Sequence, residues 1–175
     1  MTQHLVVTAI GTDRTGLVSQ LARLVTDCHC NILDSRMAIF GHELTLIMLL
    51  AGDPVAISRV EHTLPALGLE LDLLTMMKRT SVQELPPVAG HYVLSYRGAD
   101  KVGTLRAITS LLAKHQVSIS ALRSETKTDK ASGESYMQAS MTLQFQQDQS
   151  VADVKTAVTL LLQELELTGD FAAQI

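Results

Sequence analysis

Apolar and polar positions along the chain switch between two periods, and they do so in a fixed order. Residues 4–11 carry an apolar run, Leu5-Val6-Val7-Thr8-Ala9-Ile10, closed by Gly11, which predicts a buried strand. Leu17, Val18, Leu21, Leu24, Val25 and Cys28 then recur on one helical face, with Asp13 or Thr15 placed to cap the helix. Residues 31–39 read as extended, Phe40-Gly41-His42 as a tight connection, and residues 43–51 as the second arm of a hairpin. Asp53-Pro54 opens another helix. Its apolar stripe is Ile57, Val60, Leu64 and Leu67, and Gly68 is expected to stop it. Residues 69–78 then read as a strand.

The same order recurs downstream. Residues 92–97 predict a strand, and Val102, Leu105, Ile108, Leu111 and Leu112 mark a helix. Residues 118–127 predict a strand, and residues 128–134 a polar hairpin loop. Met137, Ala139, Met141, Leu143 and Phe145 alternate with Gln138, Ser140, Thr142 and Gln144, the pattern of a half-buried strand. Val151, Val154, Val158, Leu161 and Leu165 mark a helix, and a last short strand is expected within residues 167–175. The two series align without a gap at an offset of 87 residues. Eight positions are identical over 33: His4/His91, Val6/Val93, Gly11/Gly98, Asp13/Asp100, Gly16/Gly103, Leu24/Leu111, Ile32/Ile119 and Arg36/Arg123. Such a period means that one supersecondary unit was duplicated.

Each copy has the order β-α-β-β-α-β, so the fold class is α+β: two tandem ferredoxin-like βαββαβ domains with antiparallel sheets, both helices on one face. The expected boundaries are residues 1–79, a linker at 80–90 containing Pro86-Pro87, and residues 91–175. The second copy makes its free sheet face polar. The first does not, because the strand around Leu44 to Leu50 is apolar on both sides and Leu74, Met76 and Met77 extend the pattern. That face is expected to be covered by the second copy or a partner chain, unless the strand is only loosely patterned.

Composition narrows the function. Lys plus Arg number 14 against 18 Asp plus Glu, a formal charge of −4, which argues against a chain that grips phosphate backbones. Trp is absent and aromatics are few, so a base-stacking platform is not expected. No segment reaches the roughly 18 apolar residues of a membrane span. The first ten residues lack a basic, then apolar, leader pattern, so a cytoplasmic location is expected. The two cysteines form Cys28-His29-Cys30; the ligand count falls short of a zinc site, and the simpler reading is a helix end with one buried thiol. No metal or cofactor is expected. No nucleophile signature stands out, so no enzymatic role is expected either.

Most of the matched polar and glycine positions fall in one loop, Gly11-Thr12-Asp13-Arg14-Thr15-Gly16 and Gly98-Ala99-Asp100-Lys101-Val102-Gly103. Each lies between a strand and a helix start, where open backbone N–H groups and the helix dipole favour an anion. A carboxylate could use those amides with Arg14 or Lys101 nearby, and Asp13 or Asp100 could take an ammonium group. Together they suit a zwitterion, an amino acid. The competing explanation needs no ligand: glycine for the turn, aspartate as the cap.

The motif strand–Asp-[Arg/Lys]-x-Gly–helix–Asn-Ile–strand resembles the ACT domain. Here it is carried by Asp13-Arg14-Thr15-Gly16 with Asn31-Ile32, and by Asp100-Lys101-Val102-Gly103 with Ser118-Ile119. The resemblance covers almost the whole chain. It implies an amino-acid sensor whose effector lies between paired domains. Carried over, that selects Gly11, Thr12, Asp13, Arg14, Thr15 and Gly16 with Asn31, and Gly98, Asp100, Lys101, Val102 and Gly103 with Ser118. Ser118 for Asn31 and Val102 for Thr15 depart from the pattern and favour the first copy. Whole-chain resemblance also implies a regulator of transcription that responds to an amino acid, glycine expected, by contact with a DNA-binding activator. It would not itself contact nucleic acid or membrane, and a homo-oligomer is left open. A regulatory subunit controlling a metabolic enzyme is the alternative.

Overall fold

The computed structural model describes residues 1–81 and 88–174. The chain forms two compact units, Met1–Gln83 and Glu84–Ile175. The first holds β1 (Gln3–Thr12), α1 (Leu17–Asp27), β2 (Asn31–Phe40), β3 (Glu43–Gly52), α2 (Pro54–Glu70) and β4 (Leu74–Thr80). The second holds β5 (Val88–Ala99), α3 (Thr104–Lys114), β6 (Ser118–Thr128), β7 (Ser135–Gln146), α4 (Val151–Glu164) and β8 (Thr168–Ala173). The sheets run β2-β3-β1-β4 and β6-β7-β5-β8, antiparallel at every pairing. This is the ferredoxin-like topology read from the pattern, present twice. Both ends of the stretch read as linker are strand: β4 reaches Thr80 and β5 begins at Val88. Positions 82–87, with Pro86 and Pro87, lie outside the described residues.

Period-two alternation decides which face each strand buries. In β3, Leu44, Leu46, Met48 and Leu50 face Leu17, Leu21 and Val25 of α1 and Ile57, Val60 and Leu64 of α2. In β7, Met137, Ala139, Met141, Leu143 and Phe145 all point into the second core, with Ile108 and Leu112 of α3 and Val154, Val158 and Leu162 of α4. Tyr92, Phe145 and Phe171 cluster there with ring centroids 5.1 to 6.1 Å apart.

Three local expectations are corrected. Neither Asp13 nor Thr15 caps α1. The cap is Gly16, left-handed at φ 91°, with no side-chain hydrogen bond, and Gly103 repeats this at φ 92°. The chain enters each helix through a conformation that glycine alone adopts without a Cβ penalty, so a side-chain cap has no place. Second, Gly68 does not end α2. The helix continues to Glu70, with Leu71 as its cap, and Gly68 is buried inside it. A Cβ there would lie 3.0 Å from Thr75 Cγ2, so the glycine marks close packing of helix on strand rather than a stop. The last strand accordingly starts at Leu74, five residues later than the pattern suggests. Third, Val102 is not part of a buried helical face; it stands fully exposed in the loop before α3.

The free face of the first sheet carries Val6 and Ile10 of β1, Ile47 and Leu49 of β3, and Leu74 and Met76 of β4, as the register requires. Met76 is 67% exposed and Leu74 71%. At the matching places the second sheet has Val93, Arg97, Ser140, Thr142, Thr168 and Asp170.

Candidate functional site

The two glycine loops have the same backbone. Each leaves the central strand of its sheet, turns, and enters a helix through a left-handed glycine. Gln20 N–H donates to the Gly16 carbonyl at 3.0 Å, and Ala107 N–H to the Gly103 carbonyl at 2.9 Å, starting the helices. The N–H groups of Thr15 and Gly16, and of Val102 and Gly103, donate to no acceptor among the described residues. Orphan donors at a helix start form a concavity suited to an anion.

The first glycine of each loop has a different task. A Cβ at Gly11 would lie 2.6 Å from Leu73 Cδ2 and 2.9 Å from the Asp72 carbonyl oxygen. A Cβ at Gly98 would collide with Leu167. The loops are thus floored by two turns that sequence reasoning missed, Leu71-Asp72-Leu73 and Leu165-Glu166-Leu167. Both middle residues are left-handed, φ 52° and 57°. The signal was present in the chain: an acidic residue between leucines at the end of the second helix in each copy.

The loop side chains differ between the copies. The Arg14 guanidinium (Nη2) donates to the Leu71 carbonyl. Lys101 Nζ instead pairs with Glu166 Oε2 at 2.6 Å. That ammonium donor holds the Glu166 carboxyl below the usual carboxylate range. Thr126 Oγ1 donates to Asp100 Oδ2 at 3.1 Å, whereas the Asp13 carboxylate accepts no hydrogen bond among the described residues; its backbone N–H donates to the His42 carbonyl at 2.9 Å. Thr12, Asp13, Arg14, Thr15 and Gly16, like Asp100, Lys101, Val102 and Gly103, are exposed.

Asn31 and Ser118 are not brought to these loops within one unit. Asn31 pairs with Ala51, which pairs with His4, while Gly11 pairs with Leu44. The seven steps from His4 to Gly11 span about 24 Å of strand. Ser118 pairs with Gln144 opposite His91, and Gly98 pairs with Met137 at the other end of the sheet. Each unit therefore carries the two groups of candidate residues at opposite ends.

The remaining chemistry lies elsewhere. A depression of about 610 Å³ on the free face of the second sheet is lined by Ser95, Arg97, Arg123, Glu125, Gln138 and Asp170. Arg97 lies 3.9 Å over the Tyr136 ring. Cys28 is buried with its sulfur 3.5 Å from Thr63 Oγ1. Burial, then the neighbouring Cys28 and Asp53, push the Cys30 thiol up. No group of three His, Cys, Asp or Glu among the described residues is placed to hold a metal ion, and no described helix is long and apolar enough to cross a membrane.

Known proteins agree with the duplicated fold. Two ACT-domain family models match, over residues 3–78 and 92–149. The chain belongs to the ACT-domain family. Relatives align with it across nearly the whole chain. It is 37% identical over 166 residues to the glycine cleavage system transcriptional repressor of Escherichia coli (strain K12), covering 95% of this chain and 87% of that protein. The Shigella flexneri repressor gives the same values, 37% over 166 residues. A crystal structure of a candidate glycine cleavage system transcriptional repressor is 36% identical with a TM-score of 0.77, covering 99% of this chain and 98% of that one. An unknown protein from Galdieria sulphuraria is 25% identical with a TM-score of 0.80, each chain covered in full.

Proposed function

We propose that this tandem ACT protein is a non-enzymatic regulator of transcription that senses an amino acid, glycine first, and acts by contact with a DNA-binding activator of glycine cleavage genes. The observation that carries the reading is likeness along 95% of the chain to a repressor of that system. The acidic balance of the chain supports action through protein contact, since phosphate-backbone binding needs clustered cations.

The ligand would take its carboxylate to the open amides of Thr15 and Gly16, or of Val102 and Gly103, and its ammonium group to Asp13 or Asp100. Asn31 and Ser118 stand at the far ends of their sheets, so a ligand on the loop of its own unit would not meet them. The activator would meet the apolar face of the first sheet, around Ile47, Leu74 and Met76, which leaves large apolar side chains in water.

A gel shift with purified components on a glycine cleavage promoter tests the reading. The chain alone should give no specific shift at physiological salt. With the activator it should give a supershift that glycine reduces, which requires glycine to bind the free and complexed forms unequally. A tight, sequence-specific shift by the chain alone would overturn it.

A further inference from the structure

We propose that Glu166 is a built-in carboxylate for the second glycine loop: by closing on Lys101 it holds that loop against a free amino acid and leaves the first loop as the stronger site. This rests on the amino-acid reading above and states how the two copies divide the task.

The contrast lies in what each loop does with its two charged groups. In the second loop the cation is neutralised by Glu166 at 2.6 Å. The acid of that loop already accepts from Thr126 at 3.1 Å. An amino acid arriving there must displace a carboxylate from Lys101, and it meets an Asp100 that already accepts one hydrogen bond. In the first loop Arg14 is held by a carbonyl, which orients the guanidinium but leaves its charge unmatched. No acidic side chain pairs with Arg14 among the described residues, and Asp13 accepts no hydrogen bond. The loop side chains therefore offer a cation and an acid without such partners in the first copy, and a cation already paired with a carboxylate in the second.

The turn itself does not account for Glu166. Left-handed positions favour glycine, asparagine and aspartate. Asp72, at φ 52°, satisfies that preference, and Glu166, at φ 57°, does not. What glutamate adds is one methylene of reach, which brings its carboxylate to Lys101. The pair is exposed on both sides, 53% and 79%, so it opens readily. Exposed ion pairs shift an equilibrium by at most about fivefold, which sets the size of the effect. Glu166 weakens the second site without abolishing it.

Calorimetric titration of the full chain with glycine tests this, using wild type, Glu166→Gln and Glu166→Asp. Melting curves verify that each variant is folded, and lysine side-chain NMR reports on Lys101. Wild type should bind in two unequal steps. Glu166→Gln should tighten the weaker step about three- to fivefold, leave the stronger step unchanged and shift the Lys101 resonance. Glu166→Asp, which keeps the charge and shortens the reach to that of Asp72, should do the same. Two equal steps in wild type, or a weaker step that neither variant moves, would overturn the proposal and leave the sensor standing. If neither wild type nor variants bind any of the twenty amino acids, the sensor fails and the proposal with it.

Discussion

Gly11 lies directly under Leu73. A methyl group added at Gly11 would sit 2.6 Å from Leu73 Cδ2 and 2.9 Å from the carbonyl oxygen of Asp72. The repeated first glycine of the loop is therefore a packing position, with strand and turn too close for a side chain. Gly16 is different: a Cβ there meets nothing within 4 Å, but its φ of 91° belongs to glycine. Gly11→Ala should cost about 1–3 kcal/mol through overpacking. Gly16→Ala should cost roughly 1–2 kcal/mol through backbone strain alone. Urea denaturation of both variants checks this. A neutral Gly11→Ala would mean that the turn moves aside freely.

Tyr96 is 3% exposed, and its hydroxyl has no hydrogen-bond partner among the described residues. Burial alone pushes its phenol pKa up. A buried hydroxyl without a partner costs about 1–3 kcal/mol of desolvation. Tyr96→Phe removes that group and keeps the ring. The expected outcome is a melting temperature equal to wild type or higher. A fall equivalent to more than about 1 kcal/mol would mean that the hydroxyl has a partner in solution, such as a buried water.

Arg79 of β4 grips Glu61 of α2 with two donors, Nε to Oε1 at 2.8 Å and Nη2 to Oε2 at 2.7 Å. These bonds lower the Glu61 pKa below its ordinary 4.5. A carboxyl whose folded pKa is depressed adds stability above its unfolded pKa and loses it as pH falls through the folded value. The pair should thus stabilise the first unit fully at pH 7 and fade below 4.5. Exposure limits the effect to about 1 kcal/mol or less. Glu61→Gln should lower the melting temperature at pH 7 and converge with wild type in acid. An equal deficit at both pH values would exclude the linkage.

The duplication made the fold legible, because two copies voted on each element. The alternation of Met137 to Phe145 fixed one strand face, and the identical glycines located the loop. The helix starts were not legible. Asp13 satisfies the usual preference for a capping side chain, yet a left-handed glycine three residues later sets the geometry and leaves the aspartate to the loop surface. Gly68 misled for a related reason: a glycine breaks a helix on propensity, but here tertiary packing against Thr75 requires its missing side chain. The turns at Asp72 and Glu166 were not legible either, because only the folded chain brings them beneath Gly11 and Gly98.

The apolar face of the first sheet gives a last prediction. Ile47, Leu74 and Met76 expose 44%, 71% and 67% of their surface. Their counterparts on the second sheet are Ser140, Thr168 and Asp170. Chemistry this different on two copies of one surface points to different neighbours, water for one and an apolar partner for the other. A partner that covers the first face would bury about 1,200–2,000 Å² in a stable complex, and less in a transient one. Met76→Asp puts a charge on that face, on the edge strand β4, without touching a core. Exposed substitutions usually stay within about 0.5 kcal/mol, so folding should survive. The variant should melt near the wild-type temperature and still bind glycine, yet lose the supershift with the activator. Asp170→Ala, on the polar face, should retain it. If Met76→Asp supershifts as well as wild type, the activator does not dock on this face.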